Sequence, residues 1–301
     1  MGPLERILSD PDTRLAFDVL TDRLAPADLR SLLLAIAEDR SARRTPAEVH
    51  HQYSTDRFCA PSSIDGVLVA QTEATGLAAV AEDFTAVEIA PLAPFGATSA
   101  LTPVSQNVVV PTMRLSEVVS DPTNVLALQA ASMRRSQRGE VARLSAVHRV
   151  TRAQHFAGPQ SFAHFSLLGL VSAGRDRGDR AFETEEIVRH LKAHTAAIKA
   201  IDRRREIVVD VADHSGRYDE AHRVVEQVGS APGVLASIDH DRTSGNGYYQ
   251  HLCFKISVRF DDDLLEIGDG GSTDWTAQLL DDRKERLVIS GLGLDLSLIH
   301  I

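Results

Sequence analysis

Cysteine is nearly absent, with only Cys59 and Cys253 in 301 residues. The two are too far apart for a metal knuckle and too few for a disulfide framework, so a reducing cytoplasm is the expected compartment. Both are expected as small core residues. No run of about 18 apolar residues occurs, so no segment reads as a membrane-spanning helix. The opening Met1-Gly2-Pro3-Leu4-Glu5-Arg6 lacks the basic-then-apolar order of an export signal. An excess of positive charge is missing too. Against 42 acidic side chains stand 32 basic ones, a formal net charge of −10, which provides no broad cationic surface for a nucleic-acid backbone. Any RNA contact is therefore expected to be local. There is no internal repeat and no low-complexity linker.

What is present is an alternation of helical and strand patterns. Pro11-Asp12 and Pro26-Ala27-Asp28 mark helix starts, and Leu29, Leu32, Leu33 and Ile36 recur at helical spacing. Residues 1–60 are accordingly expected to form a helical N-terminal appendage. From Asp65 to Asp83 an apolar stripe of Val67, Ala70, Ala74, Leu77 and Ala78 predicts a helix. Strands are expected over Phe84 to Pro91, Ser145 to Val150, Phe162 to Ser172 and Ile207 to Val211, with helices over Glu183 to Arg204 and Tyr218 to Val228. His251 to Phe260 and Leu264 to Ile267 flank an aspartate turn in the manner of a hairpin. The pattern predicts an α+β fold built on an antiparallel sheet.

Several short segments carry chemistry. Asp121, Pro122 and Asn124 are residues that set a tight reversal, and the chain continues through Leu126-Ala127-Leu128-Gln129-Ala130-Ala131-Ser132. His148 to Gln154 forms one arm and Phe162 to Gly169 the returning arm of a strand-loop-strand unit, with Arg152, Gln154 and Phe165 as its chemical residues. Farther on come Gly245-Asn246-Gly247-Tyr248-Tyr249, Gly268-Asp269-Gly270-Gly271-Ser272-Thr273-Asp274, and Gly291-Leu292-Gly293-Leu294-Asp295. In this order the segments resemble the motifs of class II aminoacyl-tRNA synthetases, in particular histidyl-tRNA synthetase and the related ATP phosphoribosyltransferase regulatory subunit, over roughly residues 65 to 295.

The resemblance implies a class II core over 61–295, in which an antiparallel β-sheet is flanked by helices. The proline-ended strand at Pro91 is similar to motif 1, which implies a homodimer interface. In the motif 2 register, Arg152 falls on the residue that grips the α-phosphate of ATP, Gln154 on the group that reads the adenine amine, and Phe165 on the ring that stacks adenine. Arginine suits phosphate because its fixed fork of donors matches the phosphate oxygens. Gly291, Gly293 and Asp295 match the opening of motif 3. Tyr248, Tyr249, Gly270 and Gly271 fall on substrate-binding segments. Mg²⁺ is implied with ATP, and Glu266 is its nearest carboxylate candidate.

The departures bear on function. Where the family has Arg-Pro-Glu-Gly-Thr, whose acid and hydroxyl hold the substrate ammonium, this alignment places Gln129 to Met133, with Ala131 at the acid's position. Ser244 stands where the family has a catalytic arginine, and Arg242 could substitute only through a remodelled loop. Histidine activation is therefore not expected. Two functions stay open. One is ATP-dependent activation of a different carboxylate or amino acid. The other is a catalytically inactive paralogue that binds a ligand or partner, with tRNA an open question. His148, His155, His164 and His251 are read as structural or surface groups, His164 lying nearest the expected adenine pocket. Finally, Leu296-Ser297-Leu298-Ile299-His300-Ile301 is the peptide encoded in frame by the transposon-end sequencing adapter CTGTCTCTTATACACATC, so the natural chain is expected to continue differently after Asp295.

Overall fold

The computed structural model describes residues 2–153, 163–260 and 263–298. They fall into two units, residues 1–60 with 111–116, and 61–110 with 117–301. In the first unit proline opens each of four α-helices: α1 (Pro3–Ile7), α2 (Pro11–Asp18), α3 (Pro26–Ala42) and α4 (Pro46–Thr55). Proline is suited to that position because the missing N–H would have had no helical partner there. Asp10 caps α2 by accepting from the Thr13 amide at 2.9 Å. Thr45 and Glu48 close a reciprocal capping box on α4, with the Thr45 amide donating to Glu48 Oε2 at 2.7 Å. None of the residues in these four helices is buried.

The second unit begins with α5 (Gly66–Val80), capped by Asp65. It continues with β1 (Thr85–Ala86), β2 (Leu92–Pro94), α6 (Ala97–Leu101), β3 (Ser116–Val118), α7 (Pro122–Ser136), β4 (Ala142–Thr151), β5 (His164–Arg175) and α8 (Ala181–Ile201). After these come β6 (Ile207–Asp213), α9 (Asp219–Gly229), β7 (Val234–Ile238), β8 (Leu252–Phe260), β9 (Asp263–Thr273), α10 (Trp275–Leu280) and β10 (Glu285–Gly293). One eight-stranded sheet has the order β1-β4-β5-β10-β9-β8-β6-β7. Its interior pairings are antiparallel, and only the marginal pairs β1–β4 and β6–β7 are parallel.

Alternation along the strands gives the sheet two differently covered faces. Leu168, Leu170, Val209, Phe254, Val288 and Leu292 point to the face packed by α5, α8 and α9. Leu144, Leu167, Val171 and Ile289 belong to the other cluster, which is covered by α7 and α10 over β4, β5 and β10. There Ala127 and Ala130 keep the α7 surface low, and Gly169 lets α7 descend onto β5, since a Cβ at that position would lie 2.8 Å from Pro122 Cγ.

Three local expectations give way. The strand predicted over 84–91 pairs only at Thr85 and Ala86; beyond it Val87 donates to Ser145 O at 2.8 Å, and the Pro91 carbonyl accepts from Val119 at 3.2 Å. The predicted turn at Asp121 is the N-cap of α7. Gly268, Gly270 and Gly271 lie inside β9. Of the two cysteines Cys253 is buried, but Cys59 is exposed.

Candidate functional site

On the face covered by α7, a cavity of about 490 Å³ opens over β5, β10 and β9. Its rim is organised by a buried carboxylate. Glu117 accepts from the Gly96 amide at 2.8 Å, from the Thr98 amide and hydroxyl at 3.0 and 2.8 Å, and from Gln106 Nε2 at 2.8 Å. Four donors on one acid fix the start of α6, and with it Thr98 in the cavity wall. Thr98 Oγ1 in turn meets Ser120 Oγ and Asn124 Nδ2, each at 3.2 Å.

The N-terminus of α7 faces the same space. Asp121 Oδ1 accepts from the Thr123 amide at 2.9 Å and its hydroxyl at 2.7 Å. Asp121 Oδ2 is left 3.7 Å from the Arg152 guanidinium, which also donates to Ser120 O at 3.3 Å and lies over the Phe165 ring at 5.1 Å from its centroid. Tyr248 and Tyr249 close the far wall, edge to face at 4.9 Å, with Trp275 behind Tyr248 at 5.7 Å. Tyr249 donates to Asp269 Oδ2 at 2.8 Å. Burial first, and then the neighbouring carboxylates, raise both tyrosine hydroxyls well above their usual pKa, so they stand as donors. Burial also raises the pKa of Asp269 above the ordinary carboxylate value. Arg242 reaches the cavity from the loop before the tyrosines. Its Nε donates to Ser244 O at 3.0 Å, while Nη1 is buried without a hydrogen-bond partner.

No protein-family model matches the sequence, and no curated protein matches it either. Solved structures do match. An ATP phosphoribosyltransferase regulatory subunit/histidyl-tRNA synthetase from Bacillus halodurans superposes with a TM-score of 0.60 at 13% identity, over 79% of this chain and 81% of that one. Histidyl-tRNA synthetase from Nostoc sp. PCC 7120 gives 0.61 at 12% identity, over 81% and 73%. A histidine–tRNA ligase subunit from Alicyclobacillus acidocaldarius gives 0.57 at 14%, over 79% and 95%. The fold is that of the class II synthetase core.

Within this class II fold the sequence-based residues separate into groups. Arg152, Tyr248, Tyr249, Glu266 and Gly291 line the cavity, and Phe165 lies beneath the Arg152 guanidinium. Gly293, one step beyond on β10, does not line it; a Cβ there would sit 3.0 Å from Leu296 Cδ1. Asp295 is buried on the opposite face, where it accepts from the Ser166 amide at 3.1 Å and faces Arg149 at 3.4 Å, so it takes no part in this cavity. Gly270 and Gly271 lie within β9 and do not line the cavity. A Cβ on Gly270 would meet Phe254 and Ser290 at 2.5 Å, and one on Gly271 would meet the Tyr249 ring at 2.6 Å. Gln154 and His155 lie outside the described residues.

Gln129 and Ala131 sit along α7, Gln129 exposed and Ala131 buried in packing, and neither lines the cavity. An acid and a hydroxyl residue do line it from the start of the same helix. Asp121-Pro122-Thr123 has the acid-x-Thr spacing of the synthetase Glu-Gly-Thr, and both side chains line the cavity. That spacing was the signal available in the sequence, obscured by Asp-Pro reading as a turn. Arg242 lines the cavity beside Ser244. Glu266 is engaged by Lys255 at 2.8 Å, and among the described residues no group of three or more histidine, cysteine or acidic side chains could hold a metal ion. The described lining thus brings charged groups of both signs together around one cavity.

Sequence reasoning also missed the other face. His190 and His194, one helical turn apart on α8, both bond Ser290 Oγ at 2.7 Å, and Ser172 Oγ lies 3.0 Å from His190 Nε2. Both rings are fully buried, which lowers their pKa values, that of His194 to about 3.

Proposed function

We propose that this chain uses the class II fold to bind a small amino-acid-type carboxylate, acting as a ligand-binding regulatory protein and not as a histidyl-tRNA synthetase. The supporting observation is the convergence of acids (Asp121, Asp269) and arginines (Arg152, Arg242) on one cavity of about 490 Å³. Asp121 with Thr123 is placed to take an ammonium group, and Arg242 with Arg152 to take a carboxylate, each ionic group of the ligand meeting a charge of opposite sign as it leaves water. The name of the Bacillus halodurans neighbour, which includes a regulatory subunit, supports the same direction. A homodimer through the segment around Pro91 and a cytoplasmic location belong to this reading.

A second reading, ATP-dependent activation of a carboxylate, is favoured by Arg152, which is about one-third exposed beside Phe165. Calorimetric titration with the twenty amino acids, each with and without ATP, tests the proposal. At least one amino acid is expected to bind without ATP, and Asp121→Asn is expected to weaken it on the order of tenfold or more. ATP–pyrophosphate exchange stimulated by an amino acid and lost in Arg152→Ala would establish the second reading instead. Absence of binding by all twenty would overturn the first.

A further inference from the structure

Two side chains of the cavity wall are incompletely matched among the described residues: Asp269 has no ion-pair partner, and Asn124 Oδ1 has no donor. Asp269 stands on β9, receives the Tyr249 hydroxyl on Oδ2, and among the described residues has no ion-pair partner. Its cross-strand neighbour Lys255 turns its ammonium to Glu266 instead, at 2.8 Å. Asn124 is 3% exposed and donates its Nδ2 to Thr98 Oγ1, so its carboxamide is oriented, and its Oδ1 is buried with no hydrogen-bond partner. A recessed carboxylate without a cation and an orphaned carbonyl oxygen in the same cavity wall are each unfavourable until a donor arrives.

The two known acids of the cavity do not relieve each other. After burial, Asp121 is a further cause that raises Asp269, while the Tyr249 hydroxyl, Arg152 and Arg242 act in the opposite sense. A cation between the carboxylates would reverse that repulsion.

We infer that Asp269 and Asn124 read a cationic nitrogen on the ligand's side chain, so that the ligand is a basic amino acid or diamino carboxylate and not a neutral one. The inference rests on the amino-acid reading above, in which Asp121 takes the α-ammonium and the arginines take the carboxylate.

Titration of the full chain with L-lysine, L-arginine and L-norleucine tests it. Norleucine has the lysine framework without the second ammonium. Lysine or arginine is expected to bind tighter than norleucine on the order of tenfold to a hundredfold. Asp269→Asn, which keeps a Tyr249 partner, is expected to lower that affinity to the norleucine level without changing norleucine binding. Asn124→Leu is expected to produce part of the same loss, and Asp121→Asn to weaken all three ligands alike. Equal affinities in the wild type, or a preference that survives both Asp269→Asn and Asn124→Leu, would overturn the inference while leaving the amino-acid reading intact. No binding by these three overturns the inference as well, and the twenty-amino-acid panel then decides whether the broader reading falls with it.

Discussion

The two faces of the eight-stranded sheet are built from the same strands and solve different problems. On the face under α5, α8 and α9, apolar side chains interdigitate, and His190, His194, Ser172 and Ser290 form a buried hydrogen-bonded group among them. On the face under α7 the apolar cluster stops short, and acids, arginines and tyrosines surround an open volume. Adjacent residues of one strand serve both purposes, since Ser166 and Leu168 face one side and Leu167 the other. Both faces carry buried apolar clusters, but the cavity lies on the open one.

That division can be broken most strongly at Leu191, fully buried at the centre of α8. Leu191→Ala is expected to cost about 2–5 kcal/mol in urea unfolding, through lost transfer energy and the cavity left behind, and to change ligand affinity little at temperatures where the protein stays folded. A comparable loss from a cavity-lining apolar residue such as Ile289, with Leu191→Ala near neutral, would reverse the comparison.

The open face has one structural anchor of similar weight. Arg134 on α7 makes a two-pronged pair with Glu285 at 2.9 Å on both arms, both side chains almost wholly buried. Arg134→Ala is expected to cost about 3 kcal/mol, because Glu285 keeps only the longer contact to Arg175 at 3.6 Å and a buried charge is left poorly compensated. The double change R134M/E285L should recover most of it, which equilibrium unfolding of the three proteins would measure.

Acid gives a smaller and graded test of the closed face. Burial holds the His194 pKa at about 3 in the folded chain, against about 6.5 when unfolded. The unfolded state therefore takes up the proton first. Stability is fully present above pH 6.5 and is expected to fall by about 1.4 kcal/mol for each unit below it, until the folded pKa is reached. His190 shifts in the same direction and adds to the slope. In His194→Gln the slope between pH 6.5 and 5 should flatten by one proton; an unchanged slope would mean that these rings do not titrate on unfolding.

Sequence and structure agree where a signal has only one physical meaning. The apolar stripe of α5 and the long periodic run of α8 could be buried only as helices, and both are present within a few residues of the predicted bounds. Asp121-Pro122 has two meanings, because aspartate followed by proline sets either a turn or a helix N-terminus. The glycines at 270 and 271 were read as a bend, but they are required by aromatic rings and backbone pressed against β9. Asp269 and Asn124 carried no spacing signal. Their significance comes from what surrounds them, which only the folded register β8–β9–β10 brings together.

The Glu117 clamp bears on the speed of recognition. Because one acid holds Gly96, Thr98 and Gln106 together, the proposed ligand would meet a braced lip with no segment there to order on arrival. Association should then be governed by diffusion and by the shedding of water from charged groups, so that differences among ligands appear mainly in their residence times.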